Sequence, residues 1–342
     1  MSSEYALGTT YLNTAAHGLL PARSSAALGT AVTEMATGTL DHAAYLRTIE
    51  SARSAFARLV GVPAEQVATG SSVAVHCALI AGALPAGAEV LVPENEFSSV
   101  VTPFDQRGDL SLRQVPLERL ADSVRPETAL VAFSAVQSLD GRVADLAGIR
   151  AAARRHGART LLDATQAAGW LPVSAADFDY TVCGAYKWLL GPRGTSFLTV
   201  PPDGGGLRPL HAGWLAGENP WDSCYGPVRR TASSARRYDE AAPYLPYIGA
   251  APSLALIEEI GVERIGAHDR ALAGRFRAGA TERGLPPVPA DSPIVSLPGG
   301  GDAVRRLEQA GVRASVRGGD LRISFHLYNT VADVDRALAA LT

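Results

Sequence analysis

The sequence predicts an α/β fold: a mainly parallel sheet with helices on both faces, followed by a smaller α+β C-terminal domain. Three observations predict it. Short apolar runs alternate with alanine-rich helical stretches across residues 50–200. The texture changes after residue 200, where PPDGGG opens a Gly-, Pro-, Trp- and Tyr-rich connection. The remaining chain mixes helix and strand patterns. With 342 residues, 47% hydrophobic and 19% charged, the chain can bury a large core.

In chain order, helical text begins at Ala22 and again around Tyr45–Leu59. VPAEQVATG leads into a helix over about Ser72–Leu84. EVLVP (89–93), ALVAFSA (129–135), RTLLD (159–163) and YTVCGA (180–185) read as strands. Between the middle two, DLAGIRAAARRHG reads as a helix closed by a glycine. The stretch 213–246 is expected to be irregular, and loops of that length are uncommon unless functional. Helices near Gly249–Ile260 and Ile265–Arg283 should follow, then strand IVSLP, helix AVRRLEQAG, strands around ASVRG and LRISFH, and a last helix ADVDRALAAL.

Several classes are disfavoured. A formal charge of −3 argues against nucleic-acid binding. MSSEYALGTT lacks the pattern of a secretion signal, and the longest apolar candidate for a membrane span is broken by His76, Pro85 and Glu89. Cys77, Cys183 and Cys224 form no CxxC pair, which argues against disulfides or a zinc site and fits a reducing cytoplasm. No G-x-G-x-x-G turn, P-loop or G-x-S-x-G elbow is present.

The chemistry centres on GAYKWLLGPRG. Lys187 is the only lysine, the other cations of the 31 Lys and Arg being arginine. A GC-rich genome explains the arginines but not the lysine. An amine can lose its proton and form a Schiff base, which a guanidinium cannot. Upstream, Asp163 ends an apolar strand in LLDATQAAG, where side chains enter the ligand crevice of an open α/β sheet. A buried acid needs a cation. A protonated pyridine nitrogen serves, the pairing that makes pyridoxal 5′-phosphate (PLP) an electron sink. The competing view is a helix-capping Asp. Gln166 could donate to the phenolic oxygen of that cofactor. Ser71 and Ser72, at a helix start, suit a phosphate, though an ordinary N-cap reads the same way. Phe97 could stack over the ring or belong to the core. Arg322, in the apolar strand LRISFH, wants a carboxylate, either a substrate's or an internal one.

With these stretches in order, the chain resembles the class V aminotransferase superfamily of PLP enzymes (fold type I), which includes cysteine desulfurases, selenocysteine lyases, kynureninases and isopenicillin-N-epimerase-like enzymes. The likeness runs from YLNTAAHGLLP (11–21) through ATGSS, ENEF, LLDATQAAG and GAYKWLLGPRG to LRISFHLYNTVADVDRAL. It implies a large PLP domain over 16–247 with a seven-stranded type of sheet. The small domain would be 248–342, joined by the N-terminal segment 1–15. Lys187 would be the Schiff-base lysine and Asp163 the pyridine-nitrogen partner. Gln166 would bond the phenolic oxygen, Ser71, Ser72 and Tyr186 would hold phosphate, and Phe97 would stack. Arg322 would hold the substrate carboxylate, with Ala16 and His17 near the substrate and Gln137 and Ser138 at the cofactor's edge.

Two departures stand out. Desulfurases carry a nucleophilic cysteine before the arginine strand, whereas this chain has VRASVRGGDLRIS. The family's Gly-Thr, which reaches the neighbouring subunit's phosphate, is here Ala241-Ala242 in RRYDEAAPY. The first departure argues against a true, persulfide-forming cysteine desulfurase and the second against the cross-subunit phosphate contact. The resemblance still implies a homodimer, with active sites near the subunit interface, that acts on an amino acid. Cβ–X cleavage, possibly of a C–S bond, leads. Transamination, epimerisation and a non-catalytic PLP-binding role are the alternatives. The aromatic-rich loop 214–247 should shape the substrate pocket or simply pack on itself.

Overall fold

The computed structural model describes residues 4–241 and 243–341. Ala242, half of the Ala241-Ala242 pair, and the first three residues of the N-terminal segment lie outside the described residues. The strands are β1 (Thr10–Tyr11), β2 (Val67–Gly70), β3 (Glu89–Pro93), β4 (Ser111–Val115), β5 (Thr128–Ser134), β6 (Arg159–Asp163), β7 (Tyr180–Gly184), β8 (Ser196–Thr199), β9 (Ile294–Leu297), β10 (Val312–Arg313), β11 (Ser315–Arg317) and β12 (Asp320–Ser324). The helices are α1 (Ala22–Thr37), α2 (His42–Leu59), α3 (Val73–Ala81), α4 (Ser98–Asp105), α5 (Leu146–His156), α6 (Tyr244–Ile260), α7 (Val262–Glu282), α8 (Ala303–Gln309) and α9 (Val331–Ala339).

β2 to β8 form one seven-stranded sheet in the order β2-β8-β7-β6-β5-β3-β4. The pairs from β4 across to β7 are parallel, and β8 runs antiparallel to both of its neighbours. The central strands are buried on both faces, as continuous runs such as EVLVP and YTVCG require. One hydrophobic cluster packs each face: Leu91, Phe133, Leu162 and Trp170 on one, Val90, Leu130, Leu161 and Val182 on the other. A three-stranded sheet, β11-β12-β9, and the short pair β1-β10 form a further layer with its own core around Phe276, Ile323 and Phe325.

Sheet register positions the chemistry. Asp163 lies beside Ser134 and beside Val182 in the parallel ladder, so β5, β6 and β7 end at one edge. The two antiparallel steps through β8 return β2 to the same direction as β7, bringing Gly70 and the start of α3 to that edge too. The long connection 200–243 is tied to the sheet by Asp239, which accepts from Arg53 Nη2 (2.6 Å) and Thr69 N (2.8 Å). Arg53 and Asp239 are both buried.

Candidate active site

A cavity of about 270 Å³ opens at this edge. It is lined by Ser71, Ser72, Phe97, Ser138, Asp163, Gln166, Tyr186 and Lys187, among others, so eight of the sequence-derived candidates meet in one place. A larger cleft of about 700 Å³ lies elsewhere on the surface, and its arginines, Arg58 and Arg150, are paired with Glu258 and Asp177. None of the candidates line it.

Lys187 follows β7 by three residues and is buried. Its amine lies 5.2 Å from the centre of the Phe97 ring and 5.5 Å from that of Tyr186. Burial pushes its pKa down to about 8, against the opposing pull of the Asp163 carboxylate. Asp163 is pushed up to about 6 by burial, opposed by its hydrogen bonds from Thr165 and by the charge on Lys187. Its Oδ1 accepts from Thr165 N (2.8 Å).

Arg322, on β12, is buried and does not itself line the cavity, which it meets through Ser138. Its Nη1 donates to the Ser138 carbonyl, while Nε and Nη2 are buried with no partner among the described residues. Burial, with Arg317 adding to it, pushes the guanidinium down to about 9. Such orphaned charged donors are costly unless something outside the chain accepts from them.

The other candidates are more occupied than their sequence suggests. Ser71 donates to Glu240 Oε2 (2.7 Å), and Ser72 caps α3, accepting from Val75 N (3.4 Å). Gln166 is held at both ends: Nε2 donates to the Ala15 carbonyl (3.0 Å) and Oε1 accepts from Trp188 Nε1 (2.7 Å). A single Gln166 N–H remains for anything in the cavity. Gln137 does not line the cavity; it donates to Glu96 Oε2 (2.9 Å). Ala16 and His17 do not line it either; the Ala16 carbonyl accepts from Arg193 (3.4 Å) and the His17 ring lies 6.2 Å from that of Tyr186.

Of the two readings of the loop aromatics, the structure shows the packing one at this cavity. Among the described residues, none of Trp214, Trp221, Tyr225, Tyr238, Tyr244 and Tyr247 lines the cavity. Trp214 and Trp221 pack on each other at 5.0 Å, and the Tyr247 hydroxyl serves Gly70 and Ser196.

Sequence reading missed Arg193, whose guanidinium lies 4.3 Å over the Tyr186 ring at the cavity wall. It also missed Thr195, whose buried hydroxyl has no partner among the described residues and which lines the cavity. The PRGT stretch that carries both was legible as a turn. Glu96 was missed too: it accepts from Ser134 N and Oγ and from Gln137, fixing the strand end beside the cavity.

Residues 10–284 match the family model described as Aminotransferase class-V. The chain belongs to that family. It is 27% identical over 310 residues to the uncharacterized aminotransferase YcbU of Bacillus subtilis (strain 168), covering 84% of this chain and 82% of that protein. It is 29% identical over 335 residues to isopenicillin N epimerase of Streptomyces clavuligerus, covering 85% and 84%. The fold matches a solved complex of the cystine C-S lyase C-DES with cysteine persulfide, with a TM-score of 0.88 at 23% identity over 98% of this chain and 97% of that one. The class V chain is thus a PLP-dependent enzyme of fold type I.

The residues present fit PLP. The cavity offers an acid, Asp163, and an amine, Lys187. Hydroxyls and the N-terminus of α3 lie along the wall, with Thr195 Oγ1 unpartnered among the described residues.

Proposed function

We propose that this class V enzyme uses PLP to act on an amino-acid substrate, and that the reaction eliminates a β-substituent, with a C–S bond as the leading case. The observation that carries the amino-acid reading is Arg322. Its two donor nitrogens without a partner among the described residues, Nε and Nη2, match the two oxygens of a carboxylate. Bound PLP supplies the electron sink that makes loss of a Cα proton feasible.

Lys187 would hold the cofactor's aldehyde carbon, and Asp163 would hold its ring nitrogen in the protonated form. Ser72, Thr195 and Tyr186 would donate to the phosphate, and Phe97 would cover the ring. An amine with a pKa near 8 is a competent base close to neutral pH, where an ordinary lysine is almost wholly protonated. Lys187 would take the Cα proton and return it to the departing group, so elimination needs one acid–base side chain. Epimerisation needs a second on the opposite face. Burial raises the Tyr186 phenol, making it a poor base.

A persulfide-forming route has little support here. Cys77 and Cys183 are buried with their thiols pushed well up by burial, and Cys224 is exposed on the long connection. Transamination and epimerisation are the second readings, motivated by the names of the 27% and 29% identical relatives. A cytoplasmic homodimer completes the proposal. Three free cysteines and the absence, among the described residues, of a helix long and apolar enough to cross a membrane are compatible with it.

The test is a visible spectrum of the PLP-supplemented protein titrated with cystine, S-conjugates, kynurenine and simple amino acids. Release of pyruvate, ammonia and a thiol supports elimination. A lasting pyridoxamine-type spectrum means transamination, and loss of optical activity alone means epimerisation. A protein that stays colourless with PLP overturns the reading.

A further inference from the structure

Three successive carbonyls around Lys187 are held from three parts of the chain. The Tyr186 carbonyl accepts from Gly18 N (2.8 Å) in the N-terminal segment, and the Lys187 carbonyl accepts from Leu190 N (3.2 Å) in its own turn. The Trp188 carbonyl lies 3.1 Å from His326 Nε2, just beyond β12. A carbonyl can only accept, so Nε2 carries a proton. The other ring nitrogen, Nδ1, lies 2.9 Å from Asp269 Oδ2 on α7. One proton therefore lies between Nδ1 and Oδ2, and the pair is neutral overall whichever atom carries it.

His326 and Asp269 are both 0% exposed, and neither lines the cavity. His268 and Arg270 on α7 and Tyr328, whose ring lies 5.6 Å away, face the pair. Trp188 is gripped at its other end as well, where its indole donates to Gln166 Oε1 (2.7 Å). The His326 ring packs edge-on against it at 5.2 Å. A buried neutral pair is an expensive way to hold a fold, since well-packed apolar side chains would do as well. Its bond to the residue after the only lysine gives it a second use.

We propose that Asp269 and His326 form a positioning pair for Lys187: Asp269 orients the imidazole, and the imidazole fixes the Trp188 carbonyl and with it the lysine turn. The functional meaning of this proposal rests on Lys187 being the reactive amine. The proposal itself concerns where that amine sits.

Because the chain has one lysine, selective 13Cε-lysine labelling gives one signal, read on the full chain before and after PLP is added. His326→Asn keeps the donor toward Asp269 and loses the reach to Trp188. His326→Gln keeps the donor toward Trp188 and loses Asp269. The expected result is that Asn splits or broadens the Lys187 signal and moves its titration midpoint up by roughly one pH unit, toward that of an ordinary lysine. Gln should retain the wild-type midpoint. A sharp signal with the wild-type midpoint in His326→Asn, with only the melting temperature lowered, overturns the proposal and leaves a purely structural pair. If His326→Asn does not fold, His326→Gln decides: a wild-type midpoint there supports positioning through the Trp188 bond, and a shifted midpoint overturns it. Failure of the functional reading is separate, since it shows as no visible band on adding PLP to the wild type.

Discussion

Asp163 and Lys187 lie just past one another at the ends of β6 and β7, and burial has drawn their ionisations together, to about 6 and about 8. The consequence for stability is directional. The folded-state pKa of Lys187 lies below its unfolded value of 10.5, so the folded chain binds fewer protons between pH 8 and 10.5. Stability from this group is therefore fully present above 10.5 and is lost as pH falls through about 8. The swing is about 3 kcal/mol. Urea midpoints of the PLP-free protein should rise from pH 8 to pH 10 relative to Lys187→Met. A constant gap between the two proteins over that range would sink the assignment.

Arg322 should show the trade between stability and function. Arg322→Met removes a buried cation with two orphaned donors, so the melting temperature should rise. The same change should lower kcat/KM for any amino-acid substrate by roughly a hundredfold or more, the loss expected for a buried charged hydrogen-bonded contact. Spectral response to the amine of a decarboxylated analogue should be unaffected. Equal losses for carboxylated and decarboxylated ligands would remove Arg322 from carboxylate binding.

Glu240 bears on cofactor affinity. Its Oε2 accepts from Ser71 while Oε1 is buried with no partner among the described residues, which leaves a carboxylate beside the proposed phosphate seat. Glu240→Gln should tighten PLP binding roughly fivefold to tenfold, about 1 kcal/mol, by lifting that repulsion. Titration of tryptophan fluorescence with PLP and with pyridoxal separates the cause. The gain should appear with PLP alone, and an equal gain with pyridoxal would place the effect away from the phosphate.

Much of this arrangement was legible because it sits at ends of apolar runs. RTLLD and EVLVP were read with the bounds the structure shows, and YTVCG to within a residue, since strands buried on both faces leave uninterrupted apolar text. β2, β4 and β8 were not read. β4 is an edge strand whose SLRQV has no buried residue, and β2 and β8 have four residues each, too few for a period to show. At the site, Lys187, Asp163 and Arg322 stood out by residue type in the wrong setting: one lysine, or a charge in an apolar strand. Glu96, Arg193 and Thr195 had no such contrast, because only the fold brings their loops to the cavity. The occupation of Gln166 by Ala15 and Trp188 was equally invisible, since one partner lies 151 residues away.

Gly18 gives the most stringent check of how tightly the lysine turn is held. A methyl group at this position would lie 2.0 Å from the Lys187 carbonyl oxygen and 2.9 Å from the Leu190 side chain. Backbone cannot yield as a flexible side chain can, so Gly18→Ala must push the 187–190 turn away and weaken the bond from Gly18 N to the Tyr186 carbonyl. A cost of about 2–4 kcal/mol follows from overpacking plus the lost hydrogen bond. Gly29 is the control: it lies within α1, and an added methyl there meets nothing within 4 Å. Gly29→Ala should stabilise by about 0.5–1 kcal/mol through helix propensity. Melting curves give both signs, and the visible band of the PLP-supplemented Gly18→Ala protein reports whether Lys187 still reaches the cofactor. A Gly18→Ala protein with wild-type melting and a wild-type band would show that the turn has room to move, against the close approach described here.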